Sequence, residues 1–107
     1  MDSNKIKTYI NFAKRSRSIV YGVDDILKSR NIQFICISEN LAESSKNKLN
    51  KFILEKNIDY INLKFELFYS LLNNDAIKVF GITDKNLAKA IKLNFTNGSV
   101  SNGGNLE

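Results

Sequence analysis

Two kinds of apolar pattern alternate along the chain. Over Asn4–Arg15, Ile6, Tyr9, Ile10 and Ala13 recur at the spacing of one helix face. Ser18–Tyr21 is a short β-prone stretch, broken by Gly22, after which Val23, Ile26 and Leu27 resume a helical stripe. Gln33–Ser38 contains the unbroken run Phe34-Ile35-Cys36-Ile37, the pattern of a strand covered on both faces. Ala42–Lys56 is helical, with Leu49, Phe52 and Ile53 on one face and Lys46, Lys48 and Lys51 elsewhere. Ile58–Leu63 reads as a strand, Lys64–Leu72 as a short helix and Ile77–Thr83 as another buried strand. Thr83 or Asp84 is placed to cap a last helix whose inner face carries Leu87, Ala88 and Ile91.

The predicted order is αβαβαβαβα. Strands that alternate with helices form a sheet with helices on both faces. The expected fold is a three-layer α/β/α sandwich around a four-stranded mixed sheet. No proline punctuates the chain and no internal repeat is visible. Residues 1–95 read as a single domain. Residues 96–107 read as a flexible polar tail, because three of the five glycines fall there among Asn, Ser and Thr.

Composition then narrows the chemistry. A chain of 107 residues fits one domain. Its longest apolar runs, such as Phe34–Ile37 and Val79–Ile82, are too short to span a bilayer, so no membrane association is expected. Histidine is absent, which excludes His-based triads, His/Cys zinc sites and His-ligated haem. The single cysteine, Cys36, excludes an internal disulfide. The N-terminal stretch lacks an apolar signal core, so the cytoplasm is the expected location. The net charge is +5 and the pI about 9.4, which points to an anionic partner. Part of that excess is compositional: 13 Lys stand against 3 Arg beside 15 Asn and 13 Ile, the bias of an AT-rich genome.

No enzymatic constellation emerges. Asp24 and Asp25 are adjacent, so on a helix their side chains diverge by about 100° and do not face each other. Acidic residues in a first turn complement the helix dipole. Neither GxxxxGK[ST] nor GxGxxG occurs. Cys36 sits in an apolar run, where a thiol is inert. Ser38-Glu39 and Thr83-Asp84 place acids after strands, but Asp84 is explained as a cap. The expectation is therefore a non-enzyme with no catalytic residue, metal, cofactor or small-molecule substrate.

Ala13–Arg30 is the most informative stretch. A basic helix end leads through a short strand to a glycine that opens a helix, whose free amides and dipole favour anions. Gly22 permits close backbone approach, and Lys14, Arg15, Arg17 and Lys28 are expected to surround it with positive charge. Residue chemistry alone leaves two readings open: a phosphate-backbone site, or a strand-to-helix turn among solvated charges.

Gly22-Val23-Asp24-Asp25-Ile26-Leu27-Lys28 resembles the frame Gly-x-Asn-Glu-x-x-Lys of the kink-turn RNA-binding ribosomal proteins of the L-seven-Ae and L-thirty-e superfamily. Asn11–Gly22 resembles that family's basic helix and short strand, and Phe34–Glu39 its second strand. Ser44–Tyr60 resembles its Lys-rich third helix and third strand, and Ile82–Lys89 its final strand and the start of its last helix. The wording is closest to the bacterial YlxQ-type members. The resemblance implies the same α/β/α sandwich. It also implies RNA contact at the start of the second helix and packing of a distal loop against a flipped-out nucleotide. Lys14, Arg15, Arg17 and Lys28 would then hold phosphates, Gly22 would allow close approach, and Asp25 would accept from a guanine edge. Asn73 and Asn74 would lie in the distal loop.

This sequence departs from the family pattern at several of those positions. Asp24 stands where strong binders have Asn, losing an amide donor and adding negative charge beside phosphate. Asp25 replaces Glu, Val20 and Tyr21 replace basic residues, and Tyr69 and Asn73 replace glycines. The loop Asn73-Asn74-Asp75-Ala76 is polar rather than apolar. The implied function is a monomeric RNA-binding protein that recognises a kinked or bulged structured RNA, ribosomal RNA being one candidate. The alternative is a protein-interaction module of the same fold that has lost specific RNA recognition.

Overall fold

The computed structural model describes residues 2–95, and the expected tail over 96–107 lies outside the described residues. Helix α1 (Ser3–Arg15) begins where Asp2 accepts the Lys5 amide at 3.1 Å, an N-cap interaction. It ends at Ser16, and Arg17 takes a left-handed φ of 58° that turns the chain into β1 (Ile19–Tyr21). The order continues through α2 (Val23–Lys28), β2 (Phe34–Ser38), α3 (Glu43–Lys56) and β3 (Asp59–Leu63). It closes with α4 (Phe65–Leu72), β4 (Val79–Ile82) and α5 (Lys85–Asn94). The nine elements follow the predicted order. Strand β4 starts at Val79 and not at Ile77, because Asn74 Oδ1 accepts the Ala76 amide at 2.9 Å and keeps the chain in a turn just before it. Asp84 caps α5 through the Leu87 amide at 2.9 Å.

The sheet order is β1-β4-β2-β3. Strand β2 runs parallel to β3, while β4 runs antiparallel to both β1 and β2. Side chains alternate between the two faces, so each strand feeds two cores. Phe34, Cys36, Ile61 and Phe80 pack under α1, α4 and α5. Ile35, Ile37, Tyr60 and Val79 pack under α2 and α3. All five residues of β2 are buried, which is why it reads as an unbroken apolar run. Phe68 of α4 meets Phe80 with ring centroids 5.5 Å apart in a tilted pair. These layers form the expected α/β/α sandwich. Among the described residues no helix is long and apolar enough to cross a membrane.

Strand direction decides what shares an end. The ends of β1, β2 and β3 and the start of β4 lie together, so α2, α3 and α4 all begin at this upper end. The chain returns there through residues 73–78. The lower end carries the turns around 16–18, 29–33, 57–58 and 83–84. Charge follows helix direction. Asp24, Asp25, Glu43 and Glu66 occupy first turns at the upper end. Lys14, Arg15, Lys28 and Lys56 occupy last turns at the lower end. Both placements complement the helix dipoles.

Candidate nucleic-acid interface

Gly22 joins β1 to α2 with φ 84° and ψ 154°, a conformation essentially confined to glycine. Its amide donates to the Val79 carbonyl at 3.0 Å, and its carbonyl accepts the Ile26 amide at 3.1 Å. A Cβ built here would meet nothing within 4 Å. The glycine is therefore required by backbone conformation and not by a close internal contact, and the space beside it is open. No side chain caps α2, and among the described residues its first amides have no internal acceptor. A cleft of about 340 Å³ opens at this point between Tyr21, Gly22 and Asp24 on one side and Leu41, Ser45 and Ala76–Val79 on the other. Burial pushes the Tyr21 phenol above its ordinary value.

The structure brings the helix start and the distal loop together. Asp24 and Asp25 are exposed on the first turn of α2. Asn73 is the C-cap of α4 in a left-handed conformation, φ 54°, and its amide donates to the Tyr69 carbonyl at 2.6 Å. Asn tolerates this region better than other side chains, so it can do the conformational work of a glycine here. Asn74 holds the next turn through Ala76. Tyr69 is 40% exposed and lies beside Phe65, with ring centroids 6.0 Å apart.

The structure does not bring the expected cations around Gly22. Arg17 precedes β1 and Gly22 follows it, and the Thr83 amide donates to the Ser18 carbonyl at the lower end. Ser18 and Gly22 are thus separated by the strand, about 13 Å at ~3.3 Å per residue. Lys28 stands at the far end of α2, about 9 Å along the axis from the glycine at 1.5 Å per residue. Lys14 and Arg15 border a different groove with Thr8 and Asn11, and the Arg15 guanidinium lies 4.9 Å from the centre of the Phe12 ring. Sequence proximity suggested one cluster; a strand and a helix of full length intervene.

Several residues at the upper end were not legible from sequence. Lys78 borders the glycine cleft, donates to the Asp75 carbonyl and lies 5.7 Å from the centre of the Phe65 ring. Only the β1–β4 pairing places it there, so no local signal marks it. Glu39 is not a free acid after a strand: its Oε2 accepts the Phe65 amide at 2.7 Å and caps α4. Lys46 donates to the Glu39 carbonyl at 3.0 Å. Cys36 is fully buried, and burial pushes its thiol far above the ordinary range, so it forms no thiolate at neutral pH. Among the described residues no group of three or more His, Cys, Asp or Glu side chains is placed to hold a metal ion.

No protein-family model matches the chain, and no curated protein matches it. Among solved structures the fold is similar to that of a protein of unknown function from Bacillus halodurans. The TM-score is 0.71 at 15% identity, over 83% of this chain and 94% of that one. Such a likeness shows a shared fold and carries no activity across.

Proposed function

We propose that this chain is a small cytoplasmic RNA-binding protein, acting as a monomer, that recognises a kinked or bulged structured RNA along α2 and β1. The observation that carries the reading is Gly22: it opens an uncapped helix in a glycine-only conformation, with open space where another residue would place its Cβ. Free amides at a helix start accept phosphate oxygens. Asp25, exposed beside them, is an acceptor for the N–H groups of a guanine edge. Arg17 and Lys28 supply charge for phosphates farther along the same edge of the sheet. Asn73 and Asn74 open the distal loop, and Asn74 holds the turn at Ala76, which lines the cleft. Recognition of an irregular RNA by its shape and a few base edges suits a surface of this size.

A second reading is favoured by the charge at the upper end. Asp24, Asp25, Glu39, Glu43, Glu66 and Asp75 outnumber Lys46, Lys64 and Lys78 there. That balance suits a basic protein partner better than a polyanion.

A titration against a kink-turn RNA and a matched duplex, each at two salt concentrations, separates the readings. Preference for the kink that persists at higher salt supports recognition at α2. Equal binding to both RNAs that vanishes with salt leaves only general charge, and the absence of RNA binding turns the assignment to the protein partner.

A further inference from the structure

Another cleft lies at the lower end, away from Gly22. It encloses about 540 Å³ between α5, the α3–β3 turn with the start of β3, and the segment before β2. Lys56, Lys85, Lys89 and Lys92 line it against a single carboxylate, that of Asp59. Lys85, Lys89 and Lys92 follow one another at i, i+4 and i+7, so they form a single ridge along α5. Like charges at this spacing repel and destabilise the helix. Lys85 also stands in the first turn of α5, the positive end of its dipole, where the N-cap Asp84 carboxylate already accepts the Leu87 amide and a cation is disfavoured. Helix dipoles explain Lys56 at the end of α3 and Lys92 in the last turn of α5, but not Lys85 or Lys89. Among the described residues the one ion pair is Lys92 with Asp59, so Lys56, Lys85 and Lys89 have no carboxylate partner.

We propose that this cleft is a second phosphate-backbone site, holding the helical stem that flanks the element recognised at α2; the proposal rests on the RNA-binding reading. A polymer fits better than a small phosphate compound. The lysines are flexible point charges on an open rim, with no backbone cradle and no guanidinium fork to fix a compact ligand. Their heads are spread along the helix by about 6 Å and then 4.5 Å of axial rise. That matches a strand presenting a charge about every 3.4 Å better than one compact anion. Arg17, Lys28 and Arg30 lie at the same lower end, on the β1 side of the sheet. Three strand spacings of ~4.8 Å, about 14 Å, separate β1 from β3, so these cations and the cleft share one end of the sheet, with Asp59 and Asp84 also there.

The test compares the wild-type chain with the double variant Lys85→Gln/Lys89→Gln, leaving Lys92 paired with Asp59. The probes are a kink-turn RNA with short stems, the same kink with one stem lengthened to about twelve base pairs, and a plain RNA duplex. Anisotropy titrations over a salt series read affinity and slope, and thermal melting of both proteins confirms an unchanged fold. The expected result is a three- to tenfold loss for the long-stem RNA and the duplex, with a salt slope smaller by about two. The short-stem kink is expected to lose little. Wild-type affinity and slope for the long stem in the variant overturn the site while leaving recognition at α2 standing. Wild-type protein that binds duplex without preferring the kink, with that binding reduced in the variant, keeps the site and overturns recognition at α2. A wild-type chain that binds none of the three RNAs overturns both.

Discussion

The Gly22 amide donates to the Val79 carbonyl at 3.0 Å, and this bond fastens the start of α2 to the start of β4. The residues that follow β1 and those that precede β4 are therefore held side by side. The distal loop, more than fifty residues downstream, is held beside the helix it flanks.

Gly22→Ala tests the backbone at this junction. The added methyl meets open space, so the cost is conformational alone, about 1–3 kcal/mol. A urea unfolding curve is expected to shift to a lower midpoint with an unchanged slope. An unshifted midpoint would show that the positive φ is not needed. Gly81→Ala is a useful contrast. Its Cβ would lie 2.9 Å from Ile32 Cδ1, so its cost is steric and eases when Ile32 is shortened.

Lys28→Ala is expected to weaken RNA binding and lower the salt slope by about one, the signature of one lost phosphate contact. Lys28 is exposed and makes no ion pair among the described residues, so stability is expected to stay within about 0.5 kcal/mol. Unchanged affinity and slope would remove Lys28 from the interface.

Asp24→Asn removes an exposed negative charge from the start of α2 and restores an amide donor. A phosphate ~4 Å away in water-like surroundings repels a carboxylate by about 1 kcal/mol, so binding is expected to tighten roughly fivefold at low salt. The gain should shrink as salt screens the repulsion. Looser binding in the variant would mean that Asp24 itself accepts from the RNA.

Cys36 makes alkaline stability a readout of the core. Its thiol is fully buried and its pKa is raised from an ordinary 9.0. Below about pH 9 both folded and unfolded chains keep the proton, and the thiol contributes no slope. Above it the unfolded chain ionises while the folded one does not, so stability falls by up to ~1.4 kcal/mol per pH unit from this group. Wild type is expected to lose stability faster than Cys36→Ala between pH 9 and 11, and to resist a thiol reagent until unfolded. Parallel pH profiles would contradict the burial.

The sequence by itself determined the architecture, because burial leaves a periodic trace. The unbroken run of β2 reports two covered faces, the stripe Ile6, Ile10 and Ala13 reports one helix face, and Asp84 announces the cap of α5. Gly22 was legible as a special position for the same reason: few other residues adopt its backbone conformation. Tertiary structure alone decided where charge gathers. Lys14, Arg15, Arg17 and Lys28 are near Gly22 in the chain, yet β1 and α2 carry them to the lower end of the sheet. Lys78 reaches the glycine and Lys56 reaches Lys85 only because strands β4 and β3 return the chain to those ends. Hydrophobic burial is written locally, residue against element face. Electrostatic clustering depends on distances through space, which strand order and direction fix and no local pattern records.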